Sequence, residues 1–231
     1  MTLWSWSGFF GYLFNPFILG GVFTTIWLTV VSLTAGLILG FVLALMRRSP
    51  FRLAKTLAKI YIWLFRGTPL LVQLIALYTA LPQFGIRFTV IEAALIGLAL
   101  NEAAYLAEII RAGIEAVPEG QARAARALGM TERQIMRHIV MPQAFKVIIP
   151  PLGNSVNGLL KTTSVTSVIS MEELLRRTQV LIQEHFMVLE LFAVAAIYYL
   201  LLTTLWDFVQ NHIEKRFGQA TNARLSVTEK R

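Results

Sequence analysis

Long apolar runs alternate along this chain with short, mostly basic connections. Arg47 is the first charged residue, and the run from about Phe17 to Met46 is apolar apart from small hydroxyl side chains. About 20 helical residues cross a bilayer core of about 30 Å, so this run crosses with residues to spare and must tilt. Further apolar runs at about Leu57 to Leu81, Phe88 to Ile110, Ile139 to Leu160 and Val188 to Ile213 predict four more spans. Ahead of the first, Trp4 to Phe14 is dense in aromatic residues, which suit the headgroup level of a membrane, and Asn15-Pro16 breaks it from the span. The pattern predicts an all-α membrane protein with five transmembrane helices. Residues 1–16 form an interfacial segment, 17–215 the transmembrane domain and 216–231 a polar tail, disordered from Gly218 onward. Five spans cannot divide into two equal inverted halves, and no internal repeat is visible.

One stretch departs from the alternation. Residues 118–142, PEGQARAARALGMTERQIMRHIVMP, are polar and arginine-rich between two apolar spans. Pro118 suits a first helical position. Glu119 and Arg123 stand at i,i+4 in the favourable order, and Ala122, Ala124, Ala125 and Ala127 favour helix with a small, smooth surface. Gly129 after Leu128 reads as a helix stop in the left-handed conformation. Thr131 with Gln134 reads as a capping box opening a second helix. Pro142 permits or kinks the start of the next span. The prediction is two short helices joined by a glycine elbow, a rigid knuckle outside the lipid.

Composition supports the membrane reading. The 231 residues are 56% hydrophobic, with net charge +8 and no cysteine, and mean hydropathy is +0.62. The positive charge clusters beside the apolar runs. Arg47, Arg48, Arg52, Lys55 and Lys59 follow the first span. Arg111, Arg123, Arg126, Arg133, Arg137 and Lys146 surround the knuckle, and Lys215, Arg216, Arg224, Lys230 and Arg231 end the chain. The alternate connections carry only Arg87, and Arg176 and Arg177 offset by Glu172, Glu173 and Glu184. The positive-inside rule then puts the N-terminus outside and the knuckle and C-terminus in the cytoplasm. Basic and aromatic residues so arranged mark membrane interfaces, not a nucleic-acid surface.

Several polar residues fall at membrane depth, where they are costly. In the second span, Phe65-Arg66-Gly67-Thr68-Pro69 precedes Gln73; Gly67 and Pro69 break the helix unless neighbours satisfy the freed backbone. In the third, Asn101, Tyr105 and Glu108 share a face, with Glu102 one position off it; Glu108 and Arg111 read as a surface pair. In the fourth, Pro150-Pro151-Leu152-Gly153 interrupts the apolar run, and Asn154, Asn157, Lys161 and Ser164 follow as a stripe beside Ser155. Such interruptions let transporters aim backbone groups at ionic substrates. Two readings stay open. Arg66 pairs with a carboxylate to hold the bundle, or serves a pathway. Glu102 contacts a substrate, or pairs with Lys161 or Arg66.

These motifs resemble the membrane subunits of ABC importers. Their cytoplasmic loop has the pattern E-A-A-x3-G-x9-I-x-L-P, matched here by Ala124, Ala125, Gly129, Ile139 and Pro142, with Arg123 in place of the usual Glu and Met141 in place of Leu. The stretches FRGTPLLVQL and Leu81-Pro82-Gln83-Phe84-Gly85, and Asn101-x-Ala-Ala-Tyr105-x-Ala-Glu108, resemble the polar amino-acid branch, which includes histidine-, glutamine- and cystine-type importers. The resemblance implies a type I ABC importer permease whose coupling helix, including Arg123, Ala124, Ala125, Gly129, Ile139 and Pro142, docks on a separate ABC ATPase subunit that binds the ATP. It also implies a second permease subunit, identical or homologous, an extracytoplasmic substrate-binding protein, a polar amino acid as cargo, and the bacterial inner membrane as location. The candidate substrate residues are Gln73, Asn101, Glu102, Tyr105, Asn154, Ser155 and Asn157. The position of Ser155 is often acidic in that branch, so Ser155 weakens the case for a cationic side chain on the substrate unless Glu102 compensates.

No phosphate-binding G-x-x-x-x-G-K-[ST] loop occurs. No metal-ligand spacing is present, and His138, His185 and His212 stand alone. No nucleophile and base pair is recognisable. The chain is expected to need no cofactor and to have no catalytic residue of its own. The alternative function is a standalone secondary transporter or channel, with Glu102 and Glu108 as proton or cation sites.

Overall fold

Asn15-Pro16 starts a helix as well as separating two. In the computed structural model, which describes residues 4–218, the Asn15 side chain accepts from the Phe17 N–H at 2.8 Å and Pro16 occupies the first helical turn. Ahead of it, the aromatic segment is a short helix, α1 (Trp6–Leu13), capped by Ser5. The Ser5 N–H is held at 2.6 Å by the buried carboxylate of Glu190.

The first long helix, α2 (Pro16–Arg48), packs closely on α5 (Val90–Glu115). Small residues at four-residue spacing, Ser32, Gly36, Gly40 and Ala44, are buried along one face of α2. A Cβ at Gly36 would lie 3.2 Å from the Glu102 Cβ, and one at Gly40 would lie 3.0 Å from both the Ala103 carbonyl oxygen and the Leu106 Cβ. In lipid, helices associate by such close packing of small faces rather than by hydrophobic exclusion. Thr89 and Glu92 form a capping box that fixes the start of α5.

The second apolar run is not one straight span. Helix α3 (Arg52–Gly67) and the segment from Leu70 to Phe84 meet at 104°. That segment begins as α4 (Leu70–Ile75) and ends in a π turn and a 3₁₀ turn. Pro69 has no N–H and disfavours the helical conformation in its predecessor, and Thr68 is extended at φ −119°, ψ 142°. The freed carbonyls find a partner, because Gln73 Nε2 donates to Phe65 O at 3.0 Å, Thr68 O at 3.1 Å and Thr68 Oγ1 at 2.8 Å.

The fourth apolar run also differs from expectation, in the opposite direction. The double proline does not interrupt it, and α8 (Met141–Thr162) is continuous through Pro150 and Pro151. The last long helix, α10 (Val188–Gly218), braces it. Trp206 Nε1 donates to Gly153 O at 2.8 Å, and Gln210 Nε2 reaches Pro150 O at 3.5 Å and Asn154 Oδ1 at 3.3 Å. These bonds tie α10 to α8 just past the prolines, whereas the carbonyls the two prolines leave free are those of Lys146 and Val147, one turn earlier. The irregularity falls later. A 3₁₀ turn over Thr163–Ile169 leads to Ser170 at φ 66°, and then to α9 (Leu174–His185).

Helix α9 has no counterpart in the hydropathy pattern. Its N-cap is Glu173, fully buried, which accepts from the Leu175 and Arg176 N–H groups at 3.0 and 2.8 Å and from Tyr199 Oη at 2.8 Å. Arg177 ties α9 to α2 by donating to Phe17 O at 3.0 Å while lying over the Phe17 ring.

Among the described residues, three helices are long and apolar enough to span a membrane, α2, α5 and α10, and the bent α3–α4 pair makes a fourth. Helix α8, the remaining span of the sequence expectation, is long enough but carries Lys146, Asn154, Asn157 and Lys161. The expected disordered tail lies, apart from its first residue, outside the described residues.

Candidate functional site

The bend between α3 and α4 opens a cavity of about 540 Å³ against α5 and α8. Arg66 to Leu70 line it from the bend. Leu98, Asn101, Glu102 and Tyr105 line it from α5, and Ser155, Gly158, Leu159 and Thr162 from α8. That is the size and mixed lining of a small-molecule site. Glu102 is only 8% exposed, and its carboxylate accepts from Ser155 Oγ. It pairs with neither Lys161 nor Arg66. Arg66 instead lies with Cζ 5.3 Å from the Tyr105 ring centroid, and its Nη1 is 3.8 Å from Glu108 Oε2.

Of the seven residues expected to bind substrate, four share this cavity: Asn101, Glu102, Tyr105 and Ser155. The other three have structural partners. Gln73 satisfies the bend, and its Oε1 accepts from Asn101 Nδ2 at 3.1 Å. Asn154 and Asn157 turn toward α10, where Asn157 Nδ2 donates to Asp207 Oδ1 at 2.6 Å. Asn154 and Asn157 of the polar stripe therefore face a neighbouring helix rather than the cavity. Glu108 is also more than a surface partner of Arg111. Arg47 stands 3.3 Å from its Oε1, so one carboxylate draws together the ends of α2, α3 and α5.

The knuckle forms almost residue by residue as its sequence predicts. Helix α6 (Glu119–Ala127) closes with a Schellman motif: the Met130 N–H bonds Ala125 O at 3.1 Å and the Gly129 N–H bonds Arg126 O at 2.9 Å. Gly129 has φ +80°. Thr131 and Gln134 form the capping box of α7 (Glu132–Ile135). A π turn over Met136–Val140 then joins α7 to α8. It lies where Pro142, with no N–H and a ring that would press on the His138 carbonyl, prevents a normal helical turn.

Two details of the knuckle differ. Pro118 is the N-cap of α6 rather than its first residue. The ion pair that braces the elbow is Arg126 with Glu132 across it, not Glu119 with Arg123. The Arg126 guanidinium holds the Glu132 carboxyl below its usual range. Arg123, Ala124, Gly129 and Pro142 are exposed, and Leu128 projects at 83% exposure. Ala125 and Ile139 face inward instead. They pack with Ile110, Ile114, Ile135 and Ala144, which bolts the knuckle to α5 and α8.

Membrane-spanning helices around an open, partly polar cavity, with an exposed helical knuckle fixed to the cavity-lining helices, define a membrane permease. The family comparison agrees. Residues 36–219 match the model of the binding-protein-dependent transport system inner membrane component, and the chain belongs to that family. It is 38% identical to the arginine transport system permease protein ArgU of Corynebacterium glutamicum over 98% of this chain and 76% of that protein. It is 39% identical to the L-cystine transport system permease protein TcyB of Bacillus subtilis over 89% of this chain and 88% of that protein. A solved chain described as an amino acid ABC transporter with histidines superposes with TM-score 0.84 at 39% identity, over 87% of this chain and 94% of that one.

Proposed function

We propose that this chain is the transmembrane permease subunit of an ATP-driven importer for a polar amino acid. The observation that carries the reading is the cavity, in which a buried carboxylate with only a hydroxyl donor, Glu102, stands in reach of a small solute alongside Asn101, Tyr105 and Ser155. A charge so buried is costly unless something completes its shell, and the ammonium or side-chain cation of an amino acid does so. Relatives named for arginine and cystine transport support the same class of cargo.

The remainder of the reading follows. The N-terminus lies outside and the knuckle lies in the cytoplasm, against a separate ATPase. α8 is the fifth span, with Asn157 of its polar face bonded to Asp207 of α10 and Lys146, Asn154 and Lys161 exposed. A second permease subunit completes the pathway, and an extracytoplasmic binding protein delivers the substrate. ATP binding closes the ATPase pair. The exposed face of the knuckle receives that motion, and Ala125 and Ile139 pass it to α5 and α8, the two helices that carry Glu102 and Ser155. The cavity then opens alternately to the two sides.

Affinity purification of the intact membrane complex tests this. An ATPase subunit should co-purify with the chain, and uptake should stop when it is removed. Uptake sustained by the chain without any ATPase would establish instead a standalone secondary transporter or channel.

A further inference from the structure

Arg66 lines the cavity with its hydrogen-bonding capacity unspent. The side chain is 44% exposed, and its nearest carboxylate oxygen is 3.8 Å away, an ion-pair distance too long for a hydrogen bond. Glu108 does not depend on it. Arg111 already donates to Glu108 Oε2 from Nε and Nη2 at 3.1 and 2.8 Å, and Arg47 stands 3.3 Å from Oε1 as an ion pair without a hydrogen bond. Among the described residues, Arg47, Arg66 and Arg111 share two carboxylates, Glu108 and Glu115, so this cluster holds one positive charge in excess, and Arg66 is its one member that lines the cavity. Glu102 lies six residues back along α5, about 9 Å of helix rise. No described cation stands within 4.0 Å of it. The cavity is therefore bipolar.

We infer that Arg66 receives the α-carboxylate of the substrate while Glu102 takes a positive group, so that the site selects amino acids over amines. This rests on the cavity being the substrate site. The planar guanidinium fork matches a carboxylate in two parallel hydrogen bonds, which a point charge cannot do. When substrate binds, Arg66 exchanges its loose pairing with Glu108 for that fork, and Glu108 stays neutralised by Arg47 and Arg111. Substrate carboxylate and Glu108 compete for one guanidinium. Glu108 belongs to the helix from which the knuckle hangs, so the exchange gives substrate a differential interaction with the coupling end of the permease, as any ligand-driven shift requires.

The test uses the purified complex with its ATPase. Calorimetric titration with L-arginine, L-glutamine and L-cystine finds the tightest binder, which is then compared with its own α-carboxamide. The native complex should prefer the acid at least tenfold. Arg66→Gln should weaken the acid at least tenfold and move the amide less than twofold, and Arg66→Lys should fall between. Glu108→Gln removes the competitor, so it should tighten the acid several-fold and leave the amide unchanged, an effect that a merely structural cluster would not give. Should Arg66→Gln fail to assemble, Glu108→Gln and the native acid-to-amide ratio decide the matter. Equal loss of acid and amide in Arg66→Gln, no loss of either, or weaker acid binding in Glu108→Gln overturns the inference. If Glu102→Gln shifts affinity while Arg66→Gln keeps the acid-to-amide ratio, this inference alone fails. If none of the three amino acids binds, or neither variant changes binding, the cavity is not the substrate site and both readings fail.

Discussion

Replacing Gly129 by valine isolates the knuckle from the rest of the molecule. Gly129 sits at φ +80°, and a Cβ there would meet nothing within 4 Å. A Cβ there adds no clash, so the cost is set by backbone strain, about 1–3 kcal/mol for a residue held in the left-handed region. Two backbone hydrogen bonds close the elbow, from Gly129 N–H to Arg126 O and from Met130 N–H to Ala125 O, beside the exposed Arg126–Glu132 ion pair, which adds little. At a net value of about 1 kcal/mol each, they are comparable to the strain. The elbow should therefore open and swing α6 away from α7, while α5 and α8, anchored through Ile110, Ile114 and Ala144, remain assembled. Asparagine visits the left-handed region readily, so Gly129→Asn is the control. The assay is transport and substrate-stimulated ATP hydrolysis in reconstituted vesicles at matched expression. Gly129→Val should lose transport at least tenfold and uncouple the two activities, and Gly129→Asn should keep most of both. Native transport in Gly129→Val would refute the docking role of the elbow.

Other consequences follow from where side chains point. Glu102→Gln should change substrate affinity or selectivity by about tenfold with the complex assembled, measured by uptake kinetics; a loss of assembly before any kinetic change would mark Glu102 as a structural partner. Asn157→Ala breaks the bond to Asp207 and should cost about 1–3 kcal/mol of stability, read as a lower melting temperature of the purified complex. Its substrate affinity should stay native, and a selective affinity change would return Asn157 to the substrate site. A cysteine introduced at Gln83 should react with an impermeant reagent from outside the cell, and one at Leu128 should not; equal labelling or the reverse would overturn the orientation.

What the sequence made legible was local. The knuckle depends on contacts within a few residues, such as Thr131 with Gln134 and Gly129 with Arg126, and its chemistry is written in adjacent positions. Asn15-Pro16 read only as a break, though its cap on Phe17 is equally local. Faces were less legible. A polar stripe on α8 says that Asn154 and Asn157 share a side, but not which neighbour lies on that side. The matching stripe of Trp206, Asp207, Gln210 and Glu214 on α10 carried the missing signal. Prolines were an uneven guide, since Pro69 breaks its run as expected, with a bend of 104°, whereas Pro150 and Pro151 pass inside a continuous helix. At Pro69 the freed Phe65 carbonyl is caught by Gln73, four residues on, and the run bends all the same, so a proline by itself does not tell the two outcomes apart. Helix α9 was hidden because it is short and half polar, and because its cap is a glutamate rather than one of the usual short cap residues. The grouping of Arg47, Arg66 and Arg111 around Glu108 depends on three helix ends meeting and has no signature along the chain.

The proposed transport carries a polar amino acid through the cavity beside Glu102, driven by ATP hydrolysed on a partner. The most direct measurement is uptake of radiolabelled L-arginine, L-glutamine and L-cystine by vesicles containing the intact complex and its binding protein, with and without ATP on the knuckle side, for the native chain and for Glu102→Gln. Accumulation of at least one amino acid should require ATP, and Glu102→Gln should shift its apparent affinity or change which amino acid is preferred. Accumulation without ATP, or identical kinetics in both chains for every amino acid carried, would contradict the account.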